Sequence, residues 1–441
     1  MFAPQRHPIW NLREQLDLDE IGAEMYDLIR VLYPLCRSIT GEGLRETLRT
    51  IARIVALDIH EVPSGTQAFD WTVPKEWNIK AAYIADLQGR KLVDFRNCNL
   101  HVVGYSTPIR KRVSRSELLN HLYTDRDHPD WIPYRHSYYS ENWGFCVSEK
   151  QLATFTDDEY DVCIDSSLDD GNLSYGEIFL PGESQRDVLI STHACHPSLC
   201  NDNLSGIAVA AMLAKHLRTI RTRYSYRFLF VPSTIGPVVW LSRNQQLVSR
   251  IDHGLVLACL GDSGRMTYVR SRRDTSEIDR TMRHVLEHSG LAHEIRPFAP
   301  YGYDQRQYCS PGFDLKMGCL MRTPNGEYPE YHTSADDLEL VNPKSLADSF
   351  VKLLSSLCIL ENNKRYVAQV QHGEPHLGRR GLYDKAKEFG LFWLLNFSDG
   401  KHSVLDIAEK SGIAFAKLAA GVHWLEAAKL LAEYDLASGS Q

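Results

Sequence analysis

Between Tyr160 and Glu361 the sequence alternates short apolar runs with amphipathic stretches of helical period, and few folds accommodate that rhythm. The runs at 188–192, 227–231, 254–260 and 315–321 read as buried strands, and the stretches 205–217, 237–248, 276–288 and 343–360 read as helices. Strands without a polar face, each followed by a helix, describe a largely parallel sheet covered on both sides. The expected fold class is α/β, a mixed sheet with helices on both faces.

At 441 residues the chain exceeds what one hydrophobic core usually organises, and its pattern changes outside this region. Residues 21–57 have helical periodicity broken at Pro34 and at Ser38-Ile39-Thr40-Gly41, which reads as two helices and a turn. From about 65 to 135 short alternating runs, prolines and Trp71, Trp77 and Trp131 suggest a small β-rich module, inserted because the α/β pattern starts only after it. Beyond 369 a turn at Gly378-Arg379-Arg380-Gly381 precedes helical stretches at 389–395, 404–410 and 415–431, compatible with helix–turn–helix geometry.

A formal charge of −7 gives no global attraction to phosphate backbones or anionic membranes, which argues against nucleic acid and for a small soluble substrate. Basic and acidic side chains are equal in number from His376 onward, so the tail has no basic recognition face. No apolar run reaches the roughly 18 residues a membrane span needs, and no charged-then-apolar leader opens the chain, so a cytoplasmic protein without membrane contact is expected. A homo-oligomer stays open. Ten irregularly spaced cysteines do not form a disulfide framework and are expected to be small buried residues, Cys195 included.

The chemistry concentrates between Asp187 and Gly206. An apolar strand ends at His193, a loop carries His196 and Asp202, and Asn203-Leu204-Ser205-Gly206 opens a helix. Ligands collect at the carboxyl ends of strands in open α/β sheets, and imidazoles with a carboxylate are ordinary zinc ligands. Two later strand ends add Asp262, which could equally be a turn residue, and Glu330 and His332. Arg37 and Arg306 are candidates to clamp a substrate carboxylate. Tyr301, Tyr303, Tyr308 and Tyr331 are candidates to line a pocket, although core packing is the default for such tyrosines.

The core resembles the bacterial zinc aminopeptidases in its strand-terminal His, Asp followed by Asn-x-Ser-Gly, later carboxylate and final His. Nearly the whole chain resembles a bacterial family of polysaccharide-biosynthesis-associated proteins with an aminopeptidase-like domain. That resemblance is carried in order by Cys36-Arg37-Ser38-Ile39-Thr40-Gly41, the stretch from Asp70 to Trp77, Asn99-Leu100-His101, Ile132-Pro133-Tyr134, Tyr138-Tyr139, Trp143-Gly144-Phe145-Cys146, 193–206, 306–312, 328–334 and 377–382. It implies a zinc-aminopeptidase-type α/β domain from 16–64 and 136–368, the inserted β module at 65–135, and a winged-helix-like domain at 369–441. It further implies Asp202 as the metal-binding carboxylate, His332 as the C-terminal ligand, Asp262 as the opposite carboxylate, and His193 or His196 as the remaining ligand, with His193 slightly favoured.

The chain departs from its relatives at two positions that bear on activity. Where the resemblance places a glutamate before Thr-Ile-Gly, this chain has Ser233, whose hydroxyl is too weak a base near neutral pH. Where it places Asp-Glu-Arg-Gln-Tyr, this chain has Asp304-Gln305-Arg306-Gln307-Tyr308. With two carboxylates fewer, one zinc ion is expected rather than two. Asp304, Glu330 and His196 are the candidates to replace the missing base. The expected function is a zinc-dependent aminopeptidase-like hydrolase acting on a short peptide or amino-acyl biosynthetic intermediate, with activity altered by Ser233. The alternatives are a metal-binding regulatory or scaffold protein without activity, and a retuned acyl or amide transfer enzyme.

Overall fold

The computed structural model describes residues 7–434. Its centre is an eight-stranded mixed sheet: β1 Asp58–Pro63, β2 Asn172–Leu180, β3 Asp187–His193, β4 Ser225–Val231, β5 Ile251–Leu257, β6 Met266–Val269, β7 His293–Arg296 and β8 Met317–Met321. The spatial order is β1-β2-β4-β3-β5-β8-β6-β7, and the four central strands β4, β3, β5 and β8 run parallel. Every residue of β3 and β4 is buried. Period-two alternation then sorts them between two cores: Val188, Ile190, Phe228 and Phe230 face one, and Leu189, Leu229 and Val231 the other.

The first core is closed by α1 Leu18–Leu32, α2 Glu42–Ala52, α3 Ser205–Leu217, α5 Glu277–Glu287 and α6 Pro343–Asn362. The second is closed by α4 Ile235–Arg243 and a small antiparallel sheet. Helix ends are fixed locally. Asp17 caps α1 by accepting from the backbone of Asp19 and Glu20, and Asn342 caps α6 just before Pro343. Ser276 and Asp279 form a reciprocal capping box at α5.

The small sheet is not confined to 65–135. Its strands lie in the order Lys91–Asp94, Glu76–Ala85, Glu159–Asp169, Ile109–Ser114, so its longest strand comes from well beyond residue 135. That strand turns at Asp170-Gly171 straight into β2 of the main sheet. The alternation at 159–169 therefore belongs to the small sheet, although it stands where the α/β rhythm begins.

The last domain pairs Asp399–Ser403, Arg365–Ala368 and Leu431–Glu433 into a three-stranded sheet beside helices Leu391–Phe397, Val404–Ser411 and Phe415–Ala427. Its first strand starts at Arg365, ahead of the expected 369, and residues 435–441 of the expected range lie outside the described part. It docks on α5, where Arg280 pairs with Asp406 and Glu409 and His284 Nε2 accepts from the backbone of Phe415. Among the described residues no helix is long and apolar enough to cross a membrane.

Glu76 joins three of these parts. It accepts from both terminal nitrogens of Arg45 on α2, at 2.7 and 2.5 Å, and from the backbone of Asn172 at the start of β2 at 2.9 Å. The Arg45 bond dominates the forces that hold the Glu76 carboxyl down to about 2. A depressed carboxyl stabilises the fold above its unfolded value of about 4.3, and that contribution is lost as pH falls from there through the folded value. Urea unfolding of Glu76→Gln at pH 7 is expected to show a loss of about 1.5–3 kcal/mol. The difference from wild type should shrink steadily below about pH 4.

Candidate metal centre

The carboxyl end of β3 is where the sequence places its histidine, and the adjoining loop is fastened on every side. Asn203 Nδ2 donates to Thr192 Oγ1 at 2.8 Å and to the carbonyl of Leu257 on β5 at 3.2 Å, while its Oδ1 accepts from the backbone of Gly206 and Cys259. Asn201 Oδ1 accepts from the backbone of Gly261 and Asp262. A Cβ on Gly206 would lie 2.5 Å from Asn203 Oδ1 and 2.7 Å from Thr192 Oγ1, so only glycine lets α3 start this close to the strand end.

This frame points Asp202 into a ring of imidazoles. Oδ1 lies 2.9 Å from His193 Nε2, and Oδ2 lies 3.0 Å from His332 Nε2 and 3.3 Å from His196 Nδ1. The ligand atoms of His193, His196 and Asp202 all fall within 4.8 Å of one another. Asp202 is wholly buried while His196 is 13% and His332 30% exposed, so the cluster opens to solvent on one side. Burial alone would raise the Asp202 carboxyl, but the three imidazoles outweigh it and hold the group well below the usual carboxylate range. Burial lowers His332, favouring the neutral ring that ligates metals.

Supports stand behind each member. Asp336 accepts from the backbone N–H of Asn201 at 2.5 Å and of Asp202 at 3.0 Å, and burial pushes its own carboxyl up to about 8. Tyr303 donates to Asp202 Oδ1 at 3.2 Å and lies over His193 with ring centroids 5.2 Å apart. Cys259, in the left-handed region at φ 47°, brings its sulfur 3.9 Å from Asp202 Oδ1, and burial raises its thiol well above the ordinary value. Tyr134 packs edge-on against His196 and His332, and its backbone N–H donates to the carbonyl of His332 at 2.7 Å.

Several expectations need correction. Asp262 does not join the cluster: its oxygens accept from Asn201 Nδ2, from Thr323 and from the backbone of Gly264. The chain turns sharply after β5, so Cys259 rather than Asp262 faces Asp202. Arg37 does not face a substrate. It is 1% exposed, and it donates to the carbonyls of His196 at 2.9 Å and Leu32 at 2.6 Å, which places it behind the His196 loop. Tyr308 is fully buried with its hydroxyl 2.8 Å from Ser191 Oγ beneath β3.

Other candidates lie closer. Ser233 Oγ donates to Asp304 Oδ1 at 2.8 Å, and Arg306 donates to Thr234 Oγ1 at 3.1 Å. Burial raises the Asp304 carboxyl, against the opposing pull of His193. Tyr331 stacks on His332 at 4.0 Å. Glu330 is half-buried, and its carbonyl accepts from Thr333. Asp336, Cys259, Tyr134 and His136 had no assigned role in the sequence. For Asp336 the available signal was its place four residues after His332.

A family model described as Domain of unknown function DUF4910 matches residues 26–363, and a winged helix-turn-helix model matches 364–433. A Clostridium acetobutylicum protein named for polysaccharide biosynthesis and an aminopeptidase-like domain is 48% identical over 407 residues, 90% of this chain and 94% of its own length. A crystal structure from the same organism, given a peptidase name, superposes with a TM-score of 0.92 at 47% identity, over 94% of this chain and 97% of that one. The zinc aminopeptidase BSAP of Bacillus subtilis superposes with a TM-score of 0.56 at 12% identity, over 76% of this chain and 93% of its own, a likeness of fold. The matched residues and the extent of identity place this chain in the DUF4910 family, whose aminopeptidase-like α/β domain is here followed by a winged helix.

Proposed function

We propose that the protein is a zinc-dependent, aminopeptidase-like amide hydrolase acting on a short peptide or amino-acyl biosynthetic intermediate. The observation that carries this reading is the convergence of three imidazoles on the buried Asp202, in a chain with the fold of zinc aminopeptidases. His193, His196, Asp202 and His332 would hold the ion. Neutral imidazoles with a carboxylate are a zinc donor set, and His193 Nε2, His196 Nδ1 and His332 Nε2 all face the oxygens of one buried carboxylate within 3.3 Å. One ion fits better than two, because the oxygens of Asp262 are engaged elsewhere. Bound zinc polarises a carbonyl and brings the pKa of water to about 7.

The chain's own groups supply the rest. Asp304 is the proton acceptor in this reading, ahead of Glu330 and His196, because its Oδ1 accepts from Ser233, the residue that stands where the resemblance expects the glutamate. A carboxyl raised by burial is also a better base near neutral pH than an ordinary one. Arg306 keeps donors for a substrate carboxyl or carbonyl, and Tyr331 backs His332 as one wall of the cleft. The alternative, a metal-binding protein without turnover, is favoured by Ser233 itself and by Gln305, whose buried Oε1 has no hydrogen-bond partner.

Metal analysis of the purified protein with an aminopeptidase panel on wild type and Ser233→Glu separates the two. Zinc with wild-type turnover supports the hydrolase, zinc with turnover only in Ser233→Glu supports the inactive reading, and absence of zinc overturns both. In an active protein Asp304→Asn should lower kcat about 10²–10⁴-fold with zinc content unchanged. Asp336→Asn should instead weaken zinc binding about 10–100-fold in a chelator competition, since the two oxygens of Asp336 accept from the backbone that presents Asp202 and an amide keeps only one of them.

A further inference from the structure

A cavity of about 590 Å³ opens between the start of the strand Glu76–Ala85, the end of the strand Glu159–Asp169 and the loop after Tyr134. One layer of rings separates it from the metal centre. Tyr138 lines the cavity, and its hydroxyl lies 2.6 Å from that of Tyr134, whose ring packs against His196 and His332. Tyr138 also stacks at 3.8 Å on His136, whose pKa burial lowers to about 4. One continuous segment, 134–139, therefore both lines the cavity and packs against the histidine cluster.

The lining has a definite chemical character. Tyr139 leaves 59% of its surface exposed, unusual for a large ring, with Trp71 edge-on against it at 5.7 Å. Around the rings stand the hydroxyls of Ser140 and Ser167, with Lys75 as the one cation and Glu141 and Asp169 as carboxylates able to accept from ligand hydroxyls. A phosphate or polyanion would call for several cations, and a purely apolar group would leave the hydroxyls unmatched. Aromatic faces take the C–H face of a saturated ring, while hydroxyls that both donate and accept match other hydroxyls. The volume falls within the range of small-molecule pockets, about 300–1,000 Å³.

We propose that this cavity is a sugar subsite, receiving a neutral, polyhydroxylated ring. Its role as the place for a glycosyl portion of the substrate, with the amide bond at the metal centre, rests on the hydrolase reading. The sugar site itself does not, so the two fail separately.

The test is saturation-transfer NMR on the full-length protein with N-acetylglucosamine, galactose and rhamnose as probes, for wild type, Tyr139→Ala and Asp304→Asn. Tyr139 is exposed, so its truncation leaves both cores intact, and circular dichroism checks this. At least one sugar should give transfer in wild type and equally in Asp304→Asn, and bind roughly three- to ten-fold more weakly to Tyr139→Ala, the loss of one stacking face. Transfer from none of the three sugars, or equal affinity in a folded Tyr139→Ala, overturns the subsite. Neither result bears on turnover, which the metal and peptidase measurements read independently.

Discussion

A carboxylate fully removed from water stays ionised only if its surroundings replace the water, and Asp202 depends on three imidazoles to do so. Those imidazoles arrive from a strand end, a loop and the far end of the domain, 9, 6 and 130 residues away in sequence. The architecture around them serves to bring these segments together. The parallel strands set His193, Asn203 ties β3 to β5 and α3, and the pairing of Pro133 with Thr333 positions His332.

The N-terminal helices take part in the same task. Arg37 is buried where a charge is costly, and it binds the carbonyl of His196. Burial lowers its own pKa to about 10, which leaves it charged at neutral pH. Ser198 donates to the carbonyl of Tyr33, and Asn99 donates to Ser198 Oγ and to the carbonyl of Pro34. The turn after α1, the small sheet's flank and the His196 loop thus form one hydrogen-bonded unit. An error in any of the three would move a histidine.

The alternation of strands and helices was legible because burial on both faces of a parallel sheet leaves a continuous apolar run, and α3 and α6 begin where the sequence puts them. The proximity of His193, His196 and Asp202 was legible because the end of a buried strand and the loop after it face the cleft. Three kinds of feature were not. Asp262 and Cys259 are three residues apart, and only the backbone turn at Cys259 decides which faces Asp202. Arg37 and Tyr308 carry polar groups suited to a cleft, and only tertiary packing shows those groups bonded within the core. The strand Glu159–Asp169 has the alternation of either sheet, and nothing local chooses its partner.

That shared strand ties the molecule together mechanically. Glu159–Asp169 pairs with Glu76–Ala85 and Ile109–Ser114 and then runs through one tight turn into β2. The small sheet is therefore spliced into the main one rather than hung on a linker. Excising 65–135 would strip both neighbours from an eleven-residue strand and leave two bare edges able to pair with other chains. Recombination at the apparent module boundaries would yield aggregating chimeras, and a viable exchange would have to carry residues 159–169 along.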